Sequence, residues 1–371
     1  MIYLDNAATT KMFEGALGQY KKFACDLFYN PSAFYREGRA VRAELDDARK
    51  SLLKRLGAKE GTVIFTGGAT ESNNLAIMGS RRNGKWEYVF SNGEHPSVYN
   101  VAKELERQGA VIHFVPLMAD GQIDYQKLEE AINERTRLVS VMHVSNETGA
   151  VNDIKLVKKI ISKKSKALLH VDGVQAFNKL VFNLSELGAD FYTISAHKFH
   201  GPKGVGALYV RDLKTLKNIV FGGGQEGDLR SGTENVAGIM AMKWANENID
   251  VKLNFEKAEK LEKRMTEILK KDENFKIVES ASPYIMSVSY RGVNGETLAR
   301  ALQDQGVLVS TGSACSTKKA GNRILESMGM KKEDVVSSIR ISFNAYMTAK
   351  EIEEAGEKIL KCAKAIKNLE L

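Results

Sequence analysis

Short apolar runs alternate with longer amphipathic stretches through most of the chain, the runs falling at 63–65, 88–90, 111–115, 138–144, 168–171, 191–194 and 206–210. The runs are of strand length, and the stretches between them carry helical periodicity. That alternation predicts repeated βα units around a mainly parallel sheet. From about residue 235 the texture changes: charged helical stretches at 236–248 and 255–270 precede strand-like runs at 285–289 and 338–343. A second, smaller α/β domain is predicted there. No repeat, low-complexity segment or Pro-rich linker marks its border.

Composition narrows the class. With 371 residues, 43% hydrophobic and 27% charged, the chain has enough material for a large core and two domains. It opens on Met1-Ile2-Tyr3-Leu4-Asp5, without a basic region followed by an apolar one. No apolar run approaches the roughly 18 residues that cross a bilayer, so a cytoplasmic protein with no membrane partner is expected. Cys25, Cys315 and Cys362 are too few and too scattered for a disulfide framework or a metal cluster, so free thiols and no bound metal are expected. The net charge of +8 is spread over helical stretches such as 155–166 and 252–271, as solvated helix faces require. Zinc-finger spacing and aromatic RNA-binding signatures are absent, and no direct specific nucleic-acid binding is expected. Contact with a carrier protein or a tRNA acceptor stays open.

Lys198 is the most informative residue. It sits in Ser195-Ala196-His197-Lys198 directly after one apolar run, and an earlier run closes on His170-Val171-Asp172. A lysine able to form a Schiff base, with a buried acid to hold a pyridinium nitrogen, is the pattern that pyridoxal phosphate chemistry needs. Open α/β sheets place ligands at the carboxyl ends of their strands, so segments after other runs complete a candidate site. Thr66-Gly67-Gly68-Ala69-Thr70-Glu71 puts two glycines at a strand-to-helix turn. There backbone amides and a helix amino end favour a phosphate and Thr70 can cap the helix; a plain turn is the alternative. Asp172 needs a cation if buried, or else caps a helix before Gly173. Gln175 can donate to the ring's phenolic oxygen. His95, in Glu94-His95-Pro96, can stack on a flat ring or shuttle a proton, or sit satisfied in its loop. Ser195 and His197 can hydrogen-bond phosphate oxygens, while Lys203, in Gly-Pro-Lys-Gly, reads as a turn lysine.

Further along, the strand period of two sets Arg340 opposite Ile339 and Ile341. It either grips a substrate carboxylate with two parallel bonds or forms a structural ion pair. Cys25 and Cys362 lie in helical patterns and read as core. Cys315 lies in a polar stretch between Gly312 and Gly321, which offer hinge freedom, and an exposed thiol near cations there would be partly thiolate.

The motifs Tyr3-Leu4-Asp5-Asn6-Ala7-Ala8-Thr9-Thr10, Asn30-Pro31-Ser32, 65–74, Glu94-His95-Pro96, 170–175, 195–204 and Arg230-Ser231-Gly232-Thr233-Glu234-Asn235 together resemble the cysteine desulfurases of the IscS/NifS type. The likeness runs in order from Tyr3 to about Phe343. It implies the fold of pyridoxal-phosphate enzymes of fold type I (class V aminotransferases). That fold is α/β, with a large domain at 15–249 holding a mainly parallel, seven-stranded-type sheet. A small domain at 1–14 and 250–371 carries the cysteine loop at about 310–322. By matching position, Lys198 would bond the cofactor, Asp172 would hold its pyridinium nitrogen, Gln175 its phenolic oxygen and His95 its ring face. Thr70, Ser195 and His197 would hold the phosphate, with Thr233 reaching it from the partner subunit of a homodimer, and Ala69 would also contact the cofactor. Asn146 and Arg340 would bind the substrate carboxylate. The implied activity converts L-cysteine to L-alanine and passes sulfur, as a persulfide on Cys315, to an acceptor protein such as an iron–sulfur scaffold or a tRNA-thiolation enzyme.

The chain departs from the family pattern in several places. Tyr35 stands where a histidine is usual, Asn152-Asp153 replaces Gln-Pro, and Gly227-Asp228 interrupts Gln-Glu-Arg-Gly; these changes are expected at the substrate entrance. The usual Leu-Glu-Pro after the cysteine is missing, as is the carboxy-terminal extension that docks a scaffold, which leaves the acceptor open. Selenocysteine lyase and an aminotransferase or β-lyase of the same fold are the alternative activities.

Overall fold

The computed structural model describes residues 1–311 and 322–369. Its strands, numbered in chain order among those residues, are β1 (Ile2–Tyr3), β2 (Thr62–Thr66), β3 (Glu87–Ser91), β4 (Val111–Val115), β5 (Thr136–Met142), β6 (Leu168–Asp172), β7 (Phe191–Ser195), β8 (Gly206–Val210), β9 (Phe275–Ile277), β10 (Ile285–Tyr290), β11 (Val307–Leu308) and β12 (Ser338–Ser342). Seven of them form one sheet in the order β2-β8-β7-β6-β5-β3-β4. β3 to β7 run parallel, and β8 is antiparallel to both of its neighbours.

Alternate residues of these strands feed opposite faces, as the pleat dictates. Val63, Phe65, Val139, Val141, Leu169, Val171, Tyr192 and Ile194 enter one core, which the helices Arg36–Leu56, Ile154–Lys164 and Val236–Glu247 cover. Ile64, Leu138, Leu168 and Phe191 enter a second core, under Ala69–Gly79 and Pro96–Arg107. Burial on both faces is why the strands read as continuous apolar runs.

The later part of the chain builds a separate core. β12, β10 and β9 form an antiparallel sheet, and β1 pairs in parallel with β11. Helices Val251–Leu269 and Ala349–Leu369 pack on them, so that Ile2 and Leu4 share a core with Leu261, Met265, Ile341 and Ile359. No helix among the described residues is long and apolar enough to cross a membrane.

The amino-terminal segment joins the two parts. Ser342 N–H donates to Leu4 O at 2.7 Å and Thr10 N–H to His197 O at 2.9 Å. Residues between those anchors therefore run past the carboxyl ends of the central strands. β8, being reversed, brings its first residue to the same edge, where Gly206 pairs with both Ser195 and Thr66.

Candidate active site

A cavity of about 1380 Å³ opens at that edge. Ala69, Thr70, His95, Asn146, Asp172, Gln175, Ser195, His197, Lys198 and Arg340 all line it. They come from loops after β2, β3, β5, β6 and β7 and from β12, so the expected residues meet although they are scattered in sequence.

Lys198 ends a short helical turn after β7, and its Nζ donates to Ala7 O at 2.7 Å and Ala8 O at 2.8 Å. Burial, aided by the Arg340 charge, lowers its pKa to about 8. An amine in that range keeps a share of its nitrogen lone pair free near neutral pH, as a nucleophile needs. Asp172 ends β6, is 5% exposed, and accepts from Asn73 Nδ2 at 2.9 Å and Val174 N–H at 3.1 Å.

The cavity wall after β2 is built from close backbone approach. Gly68 has φ 146°, and a Cβ on Gly206 would stand 2.8 Å from the Gly68 Cα. Both positions need glycine, and together they set the amino end of Ala69–Gly79 at the cavity wall, where the helix dipole favours an anion. Gly68, not Thr70, occupies the cap position. The expected Thr70 cap is therefore wrong: Thr70 lies one residue inside the helix, where its hydroxyl is exposed beside the cavity. Glu71 accepts from Gly67 N–H at 2.6 Å and pairs with Arg230, which lowers its pKa against the opposing effect of burial.

His95 Nδ1 accepts from Ser97 N–H at 3.2 Å and lies 2.8 Å from Ser97 Oγ. Because a backbone N–H only donates, the ring proton is on Nε2. Burial, with Lys198, Arg323 and Arg340 nearby, lowers the His95 pKa despite Asp172. His197 Nδ1 lies 3.1 Å from Thr9 Oγ1, and burial beside Lys198, Lys203 and Lys179 lowers its pKa to about 4.

The aminotransferase class-V family model matches residues 2–354. The chain belongs to the class-V aminotransferase family. A cysteine desulfurase IscS of Dictyoglomus turgidum is 36% identical over 369 residues, covering 95% of this chain and 91% of that protein. A solved NifS-like protein superposes with a TM-score of 0.91 at 33% identity, over 97% of this chain and 98% of the other. The structure of SspA in complex with cysteine gives a TM-score of 0.83 at 32% identity, over 94% and 100% of the two chains.

Class-V aminotransferases share fold type I and work with pyridoxal 5′-phosphate. The residues present fit that cofactor. Asp172 is a buried carboxylate held only by neutral donors, an arrangement that costs free energy until a cation such as a protonated ring nitrogen meets it. No helix follows Asp172 for it to cap: its Oδ1 accepts from Val174 N–H at 3.1 Å in a turn, and the residue lines the cavity.

Of the two alternatives for Arg340, the structural ion pair is present. Its Nη2 pairs with Asp5 at 2.9 Å, and its Nη1 donates to Asn146 O at 2.8 Å and lies 3.5 Å from Glu147 Oε1. Arg340 also lines the cavity, and its Nε has no partner among the described residues. Asn146 donates to Glu147 at 2.8 Å, leaving its Oδ1 buried and unpartnered.

Thr233 is exposed and away from this cavity, and Cys315 lies outside the described residues, as do Gly312 and Gly321. Three further expectations are corrected. Cys25 is exposed, in the short π-helical turn Lys22–Asp26, because that turn presents Phe23 to the core instead. Cys362 is half-buried against the smaller core, where burial raises its pKa. Of the departures, none of Tyr35, Asn152, Asp153, Gly227 and Asp228 lines the cavity. Asn152 is a buried brace from Met142 O to Ile123 N–H, and Asp153 caps Ile154–Lys164.

Sequence reading missed Asn73, Arg323 and the cavity position of Lys203. Arg323 caps the wall by donating to Asn92 O and Glu94 O, with its guanidinium 4.0 Å from the Tyr99 ring centre. A second arginine bordering the cavity has no local signature, because its partners are backbone carbonyls more than two hundred residues away.

Proposed function

We propose that this chain is a cysteine desulfurase that acts on L-cysteine as a cytoplasmic homodimer. The carrying observation is that Asp172, buried with no direct ion pair among the described residues, and Lys198, with a lowered pKa, border one cavity. The likeness to an IscS and to a relative solved with cysteine supplies the substrate. We read 15–249 as the cofactor-binding domain, and 1–14 with 250–371 as the small domain.

Pyridoxal phosphate, when bound, supplies an electron sink for the bonds around the substrate Cα. Asp172 keeps the ring nitrogen protonated, which strengthens that sink. Gln175 donates to the phenolic oxygen, His95 lies against the ring, Ala69 also contacts the cofactor, and Thr70, Ser195 and His197 hold the phosphate, with Thr233 contributed by the partner subunit. Lys198 Nζ, once free, takes the Cα proton of the substrate. Arg340 and Asn146 hold the substrate carboxylate, the Arg340 Nε being a donor without a partner among the described residues.

Cys315 completes the reaction. Its thiolate attacks the substrate sulfur, the S–Cβ bond breaks, and L-cysteine plus the enzyme thiol becomes L-alanine plus an enzyme persulfide. Thr311 follows Ser310, whose N–H donates to Arg340 O at 3.1 Å, and Arg323 follows Asn322 at the cavity wall. Both flanks thus adjoin the site. The persulfide sulfur then passes to an acceptor protein serving iron–sulfur cluster assembly or tRNA thiolation.

Incubation with L-cysteine and a reductant tests this reading. Equimolar alanine and sulfide are expected, with both lost in Cys315→Ser while the cofactor's visible absorption stays. Turnover that survives Cys315→Ser overturns the assignment of the thiol, and bound cofactor without alanine overturns the substrate.

A further inference from the structure

Lys179 is a buried lysine, 7% exposed, for which the reaction above has no use. Its Nζ donates to Gln175 Oε1 at 2.7 Å and lies 5.7 Å from the Tyr284 ring centre. Burial lowers its pKa to about 7, the Lys198 and Arg340 charges push the same way, and no acid counters them. A lone buried amine is destabilising, so its contact with Gln175 calls for a reason.

The reason lies in the two ends of a carboxamide. The Lys179 amine donates to Gln175 Oε1, and so holds the oxygen end of that amide toward itself. The nitrogen end then faces Ala7 O, to which it donates at 2.9 Å, and the cavity that Gln175 lines. Ala7 takes one of the two Nε2 protons, and the other is left for a ligand. Without Lys179 the amide can turn over, presenting Oε1 to the phenolic oxygen of the cofactor, where two acceptors repel.

We propose that Lys179 is a positioning residue which, by holding Gln175 Oε1, keeps the Gln175 N–H directed at the phenolic oxygen of pyridoxal phosphate. The inference rests on the reading of Gln175 as a cofactor contact. A hydrogen bond to the ionised oxygen favours that form, so its loss moves the pH midpoint of the cofactor's visible absorption upward.

The test is a pH titration of that absorption in the holoenzyme, with Gln175→Leu, Lys179→Met, Lys179→Leu, Lys179→Arg and the Gln175→Leu/Lys179→Met double variant. Either apolar replacement suits a buried site, so folding is expected to survive in at least one. Gln175→Leu and Lys179→Met should each raise the midpoint by about one pH unit, the double variant no further than Gln175→Leu alone, and Lys179→Arg should return toward the parent. A shift in Gln175→Leu but none in the Lys179 variants overturns the role of Lys179. Full additivity in the double variant also overturns it, because Lys179 would then act through its own charge. No shift in Gln175→Leu overturns the underlying reading of Gln175.

Discussion

Asn73 Nδ2 donates to Asp172 Oδ2 at 2.9 Å, and the same nitrogen lies 2.9 Å from Ser97 Oγ, which bonds His95 Nδ1. Asp172 and His95 are therefore oriented by one amide. His170 Nε2, 3.1 Å from Asn73 Oδ1, closes the chain from behind, and burial lowers its pKa to about 4 so that it stays neutral.

Asn73→Leu removes that amide while roughly keeping its volume. It leaves a buried carboxylate short of a donor, a loss worth about 1–3 kcal/mol. Chemical denaturation should show that loss, and titration with pyridoxal phosphate should show about tenfold weaker binding. Binding equal to the parent would mean that Asp172 is positioned by other groups.

Lys198 gives a pH dependence with a definite sign. Its pKa is lowered to about 8, so the nucleophilic, unprotonated amine gains population as pH rises through that value. The rate at which cofactor-free protein takes up pyridoxal phosphate should climb with pH and level off above about 8. Lys198→Ala should bind the cofactor without retaining it after borohydride reduction, as read by intact mass.

Glu94 is buried and its pKa is raised to about 8, first by burial and then by Asp172. Between the ordinary carboxylate value of 4.5 and about 8 the folded chain binds more protons there than the unfolded chain, so stability falls as pH rises. Glu94→Gln removes this dependence. Its denaturation midpoint should improve relative to the parent as pH is raised across that window, and a constant difference would refute the assignment.

Arg340→Lys keeps a charge but loses the fork that spans Asp5, Asn146 and Glu147. KM for L-cysteine should rise at least about tenfold with a smaller change in kcat, the pattern of lost ground-state binding. Arg340→Ala, which takes the guanidinium away from Asp5 and Glu147, should also cost about 1–3 kcal/mol of stability.

The sequence by itself determined the sheet and the cofactor wall, because both depend on short-range pattern. Runs such as 191–194 are apolar throughout for burial on both faces, and Ser195, His197 and Lys198 follow such a run directly. Gly67-Gly68 was readable for the same reason, since a strand-to-helix turn needs its glycine locally. What only the tertiary structure decided are the contacts that give those residues their state. Asn73 reaches Asp172 across 99 residues and Arg340 reaches Asp5 across 335, with no periodicity linking the partners. Lys179, one turn beyond Gln175, carries no local mark of the burial that packing imposes on it. Charge, protonation and amide orientation are set by burial and by neighbours in space, which local pattern does not encode.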